Sequence, residues 1–169
     1  NYYNDELFLH TQFVKGALID IISAYAHIFL YNKEYNKMKN VVMFFDELNK
    51  VLKFNENTPS YELICKIKGD YWLFSNYKDI KASLVFYDKA LQLIPNHHPK
   101  RPIILFNMGY CHFVNDNKKK AIEFLNRCVS EFNSVDLTNS PFDFYCRPNA
   151  LSKKVNIATR MISLMLENE

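Results

Sequence analysis

A chain of 169 residues that is 49% hydrophobic and 15% aromatic, with 3 Gly and 6 Pro, can bury a core and excludes disordered, collagen-like and loop-rich folds. Lys and Arg total 21 against 18 Asp and Glu, a net charge of +3 spread along the chain rather than gathered into the dense basic footprint of a nucleic-acid surface.

Helical periodicity then runs through nearly the whole sequence. From Phe8 to Tyr31, the residues Phe13, Leu18, Ile21, Ile22, Tyr25, Ile28 and Phe29 recur at three- and four-residue steps and predict one amphipathic stripe. Asn32-Lys33 interrupts it, and a second stripe follows on Tyr35, Met38, Val41, Val42, Phe45, Leu48, Val51 and Leu52. After a polar break, Thr58-Pro59 reads as an N-cap and first helical position. A third helix is expected over about Tyr61 to Phe74 and a fourth over about Lys78 to Leu93, ending before Pro95. Pro102 is expected to begin a fifth helix that runs to about Val114, and a sixth spans about Lys118 to Phe132. The stretch 133–148 is the longest loop. Within it the run from Pro141 to Pro148, with Phe142, Phe144 and Tyr145, can either fill a groove or pack under the last helix. That helix, about Asn149 to Leu166, places Leu151, Val155, Ala158, Ile162 and Met165 on one side. No strand alternation appears, so the fold class expected is all-α.

Short turns between paired helices call for a search for an internal period. Around Gly109, Leu105 stands four before, Met108 just before, Ala121 twelve after and Leu125 sixteen after. Gly69 recurs 40 residues earlier with Trp72 three later, followed by Ser83, Tyr87, Ala90, Leu91 and Pro95. Gly69 to Ser83 is 14 residues rather than 12, so one helix or its turn carries two more residues. A looser copy has Ala26 in the Gly position, Phe29 as the aromatic and Met38 as the small residue, 43 residues before Gly69.

On these residues the sequence resembles the tetratricopeptide repeat (TPR) family over about 17–135, in a long-helix variant, since the intervals exceed the family's 34. The resemblance implies one TPR-like domain over 1–169, a right-handed superhelix of helix pairs at about 17–53, 60–94 and 102–133 with a capping helix at about 149–166. It further implies a concave groove that receives a partner segment. By register, the first pair lines it with Asp20, Ser23, His27, Leu30 and Tyr31, and the second with Leu63, Lys66, Asp70, Leu73 and Phe74. The third contributes Ile103, Phe106, Tyr110, Phe113 and Val114. His27, Tyr31, Lys66, Asp70, Phe74, Phe106, Tyr110 and Phe113 are the candidate partner-binding residues, with Lys66 and Asp70 fixing register and the rings burying apolar side chains. The positions of a chaperone-type carboxylate clamp hold Ser23, His27, Ile67, Ile103 and Asn107, none of them cationic, so no clamp is expected.

Nothing argues for an enzyme. The three Gly are isolated, the carboxylates are scattered, and His97-His98 has no ligand at metal spacing. Adjacent Cys111 and His112 point about 100° apart on a helix, so packing explains them better than a Cys–His nucleophile. Four cysteines without a CxxC pair favour a reducing, cytoplasmic compartment, and no uninterrupted apolar run approaches the roughly 18 residues of a spanning helix. With Asn1 first, the chain can be a piece of something longer.

The expected function is therefore a non-enzymatic module without metal or cofactor, binding an apolar or amphipathic protein or peptide segment, within a larger complex where one exists. Neither nucleic acid nor membrane is an expected partner. Two alternatives are the peptide-sensing domain of a bacterial transcriptional or signalling regulator, and a secretion or assembly chaperone.

Overall fold

The computed structural model describes residues 2–135 and 148–167; the run 141–147 and Cys146 lie outside them. Among the described residues there are seven helices and no strand: α1 (Tyr2–Tyr31), α2 (Tyr35–Leu52), α3 (Tyr61–Phe74), α4 (Ile80–Leu93), α5 (Lys100–Val114), α6 (Lys118–Asn133) and α7 (Pro148–Glu167). They form two compact units, Asn1–Leu93 and Ile94–Glu169. In the first, α3 packs on both helices of the α1/α2 hairpin and pairs with α4. In the second, α7 packs on both helices of the α5/α6 hairpin.

The three hairpins share one piece of backbone geometry. The amide of Glu34 donates to the Phe29 carbonyl at 2.8 Å, that of Asp79 to Trp72 at 3.0 Å, and that of Asn117 to His112 at 2.9 Å. Each acceptor lies three residues beyond Ala26, Gly69 or Gly109. The carbonyls of the same Glu34, Asp79 and Asn117 then accept the first helical bonds, from Met38, Ser83 and Ala121, all fully buried. Where the sequence leaves open which part of the second pair is longer, the turn is the answer. It has five residues at 75–79 against three at 32–34 and 115–117. The two short turns each hold their middle residue, Lys33 or Asp116, at φ 59°, the left-handed region that lets three residues reverse the chain. Asp79 and Asn117 also cap the following helices, their side-chain oxygens accepting from Ala82 and Lys120 at 2.9 and 3.2 Å.

Several helix starts differ from expectation, and two of them have a readable cause. Thr58 does not cap α3, because its hydroxyl accepts from the Asn55 amide behind it at 3.1 Å, and Ser60 holds the cap position in a left-handed conformation. The fifth helix begins at Lys100, two residues before Pro102. Proline is tolerated there because a first-turn N–H has no intrahelical partner. Its neighbour Arg101 forks onto Glu131 of α6, with Nε–Oε2 at 2.7 Å and Nη2–Oε1 at 3.2 Å, and donates from Nη1 to the Ile94 carbonyl at 3.0 Å. This bidentate, largely buried clasp ties the start of α5 to the end of α6.

The stripes on α2 and α7 bury the expected sides apart from Val51, with Met38, Phe45, Leu151, Val155 and Ala158 in cores, and α3 and α6 bury Ile64, Ile67 and Leu125. On α1 the buried side is different. Gly16, Ile19, Ile22, Ser23 and Ala26 pack inward, while Phe13, Ile21, Tyr25 and Ile28 of the expected stripe are exposed. The helix is apolar nearly all round, so its inward face was chosen by fit: small residues allow α2 and α3 to approach closely, and large ones on the other side do not. Leu7–Tyr31, which contains an 18-residue window of mean hydropathy 1.5, is long and apolar enough by length and composition to cross a membrane, although the polar residues in it leave no uninterrupted run.

Candidate functional site

Two places gather the sequence-selected residues, one in each unit. In the first, α1 and α3 bring His27, Lys66 and Asp70 together, and α4 adds Tyr87. Lys66 and Asp70 sit one turn apart on α3, and the Lys66 Nζ donates to Asp70 Oδ2 at 2.6 Å. The Tyr87 hydroxyl donates to the other carboxylate oxygen at 2.6 Å, and Lys66 Nζ lies 2.8 Å from His27 Nε2. At 2.8 Å from the Ser23 carbonyl, His27 Nδ1 carries the proton, which leaves Nε2 to accept from the ammonium. A doubly protonated ring would instead set an N–H against that ammonium. The bonds thus specify a neutral His27 with its proton on Nδ1.

This cluster faces inward. Asp70 is 1% and Lys66 6% exposed, and Tyr87 is fully buried. The two charges expected to fix a partner's register are bonded to each other beneath the surface, because the i, i+4 spacing that puts both on one face of α3 turns that face toward α1 and α4. Burial alone would raise the Asp70 pKa. The Lys66 ammonium, with hydrogen bonds from Lys66 and Tyr87, outweighs it and holds the carboxyl below its ordinary value. A lowered carboxylate pKa adds stability that is complete above the unfolded value, near 4, and lost as pH falls through the folded one. The stability difference between wild type and Asp70→Asn, followed by denaturant unfolding from pH 7 to about 3, is therefore expected to hold steady down to about pH 4 and shrink below it. A difference that grows toward acid would contradict this assignment.

The remaining first-unit candidates lie apart from the cluster: Tyr31 is 88% exposed at the end of α1 and Phe74 is half-buried at the end of α3. Leu63 and Leu73 are core.

In the second unit the α5 rings grade from covered to open. Ile103 is buried with Leu151 of α7, and Phe106 is half-buried with the Lys154 ammonium 4.5 Å from its ring centre. Tyr110 stacks on Phe113 at 6.4 Å between centroids, and Phe113 is 46% exposed. Beyond Phe113 opens a cleft of about 510 Å³, walled by Phe113, Met161, Leu164 and Met165 and rimmed by Asp116 and Lys118. Its walls are apolar and adaptable, with two methionines, and one charge of each sign stands at the rim. The sequence marks Phe113 and the αL turn at Asp116. It gives no signal that the last turns of α7 meet them, since periodicity assigns Met165 a face but not a neighbour.

The other chemistry-bearing residues are packed or capped. The His112 ring stacks on Phe124 at 5.2 Å, and its pKa is lowered by burial first and the nearby Lys120 second. Cys111 is buried in the α5 core. Burial also pushes the thiols of Cys65 and Cys128 up to about 11 and about 12, far from thiolate at neutral pH. His98 Nδ1 accepts from the Lys100 amide at 3.1 Å, and His97 contacts Ser134. Among the described residues no three His, Cys, Asp or Glu stand together as metal ligands. No protein-family model matches the sequence, and no curated protein matches it either.

Proposed function

We propose that this chain is a non-enzymatic, TPR-like helical-repeat module that binds an apolar or amphipathic segment of a partner protein, with the open end of α5 in the second unit as the receiving surface. The cleft at Phe113 carries the reading: an apolar pocket of the size that accepts one or two side chains, edged by Asp116 and Lys118, beside the stacked Tyr110. The recurrent turn geometry after Ala26, Gly69 and Gly109 supports the repeat assignment, because a small residue facing the second helix is what that family's hairpins require. The buried thiols of Cys65, Cys111 and Cys128 support a cytoplasmic setting.

Selection of binders from a displayed random-peptide library tests the reading. Enriched peptides are expected to carry large apolar residues at helical spacing, and Phe113→Asp and Leu164→Asp are expected to weaken them by about tenfold or more with helicity unchanged. Binders that are indifferent to both substitutions would move the site elsewhere. Failure to select any binder would remove the reading.

A further inference from the structure

We infer that the outward face of α1 is a self-association surface on which a second copy of this chain lays its own α1, antiparallel. The proposal rests on α1 alone and goes beyond the partner cleft of the second unit.

At 1.5 Å per residue, α1 is about 45 Å long and its hairpin mate α2 about 27 Å, so the first dozen residues of α1 overrun α2. On that overhang and at its edge Leu7, Phe8, Phe13 and Val14 are each more than half exposed. Further along, the face opposite the core shows Ile21, Tyr25, Ile28 and Tyr31, again each more than half exposed. Singly such residues are ordinary on a surface; nine large ones on one helix are not.

Their spacing says what covers them. Leu7, Val14, Ile21 and Ile28 recur every seven residues, and Ala17, Ala24 and Tyr31 stand three after the last three of the four in turn. This is a coiled-coil seam, and it lies opposite the face that packs on α2 and α3. In an antiparallel pair each first-position residue meets a fourth-position residue of the other helix. Val14 then meets Ala24, Ile21 meets Ala17, Leu7 of the overhang meets Tyr31 at the far end, and Ile28 meets His10. Large side chains fall opposite small ones at the centre, and each overhang covers the partner's exposed C-terminal half. A parallel pair would instead set alanine against alanine and leave voids.

The area is adequate. Seven half-exposed or better apolar side chains on the outward side, Leu7, Phe13, Val14, Ile21, Tyr25, Ile28 and Tyr31, at roughly 100 Å² each approach the roughly 800 Å² per partner of a stable interface. Lipid fits less well, because Lys15 and Asp20 are the only Lys, Arg, Asp or Glu residues between Leu7 and Tyr31 and the face has no cationic rim. Moving α1 wholly into a bilayer would also strip His27 from Lys66.

Sedimentation of the chain at about 50 µM is expected to give twice the chain mass, and Val14→Glu with Ile21→Glu to give the monomer with unchanged helicity, since both sites are exposed. In a Cys146→Ser background, oxidising a mixture of Val14→Cys and Ala24→Cys chains is expected to give about tenfold more cross-linked dimer than either chain alone. Cross-linking of each variant with itself would overturn the antiparallel arrangement. A wild-type monomer at this concentration would overturn the proposal, and a monomer that floats with phosphatidylcholine–phosphatidylserine vesicles would assign the face to membrane instead.

Discussion

Asp70→Ala and Lys66→Met are each expected to destabilise the first unit by about 3–5 kcal/mol, while the double change Lys66→Met with Asp70→Leu costs far less than their sum. Each single substitution leaves an ion stranded in a place where water does not reach: an ammonium facing the His27 ring, or a carboxylate 1% exposed. Removing both ions removes the desolvation term together with the attraction that offsets it. Tyr87→Phe takes one neutral donor from the carboxylate and should cost about 1–3 kcal/mol. Equilibrium unfolding in urea reads all four variants, with a shifted midpoint at constant slope as the signature. Single costs below about 1 kcal/mol, the range of exposed pairs, would show that water reaches the cluster and that the inward geometry is wrong.

That network marks where the sequence stops being sufficient. The pairing of Lys66 with Asp70 is readable from their spacing on one helix, and His27 from the register of the TPR resemblance. Which way the shared face turns is a tertiary matter. Tyr87 reads as one more apolar position on α4, although a tyrosine one turn beyond Ser83, which itself bonds the Gly69 carbonyl at 2.9 Å, was the available hint that its hydroxyl needed a partner inside. Helices α2 to α7 were legible because each has a polar side, a capping residue or a proline to mark it. The inward side of α1 was not, since Phe13, Ile21 and Tyr25 are as apolar as Ile19 and Ile22. Hydrophobicity cannot choose between two apolar faces, whereas packing does so through Gly16, Ser23 and Ala26. The cleft at Phe113 was half legible: its α5 wall follows from the register of the TPR resemblance, its α7 wall from contacts that lie more than forty residues apart in the chain.

Gly69→Ala is expected to destabilise by about 2 kcal/mol, against a gain of about 1 kcal/mol that the same change brings inside an unconstrained helix. A Cβ at Gly69 would fall 2.6 Å from Tyr87 Cε1 and 2.7 Å from Cδ1. The ring has no room to retreat, being fully buried, and its hydroxyl is tied to Asp70, so any shift that admits the methyl also stretches that bond. At Gly109 the new carbon would meet Leu125 Cγ at 2.7 Å and the Leu125 backbone amide at 3.3 Å, so rotating the leucine relieves only part of the clash. Gly109→Ala should therefore be destabilising as well, but without the loss of a polar bond. Two comparisons separate crowding from any general intolerance of these helices. Shrinking the opposing ring with Tyr87→Leu should recover much of the crowding cost of Gly69→Ala while adding nothing back for the lost hydroxyl. Lys81→Ala, on the exposed side of α4, should change stability by no more than about 0.5 kcal/mol. A Gly69→Ala protein as stable as wild type would mean that α3 and α4 do not approach at this point, and the equivalence of Gly69 with Gly109 as the contact that closes each hairpin would fall with it.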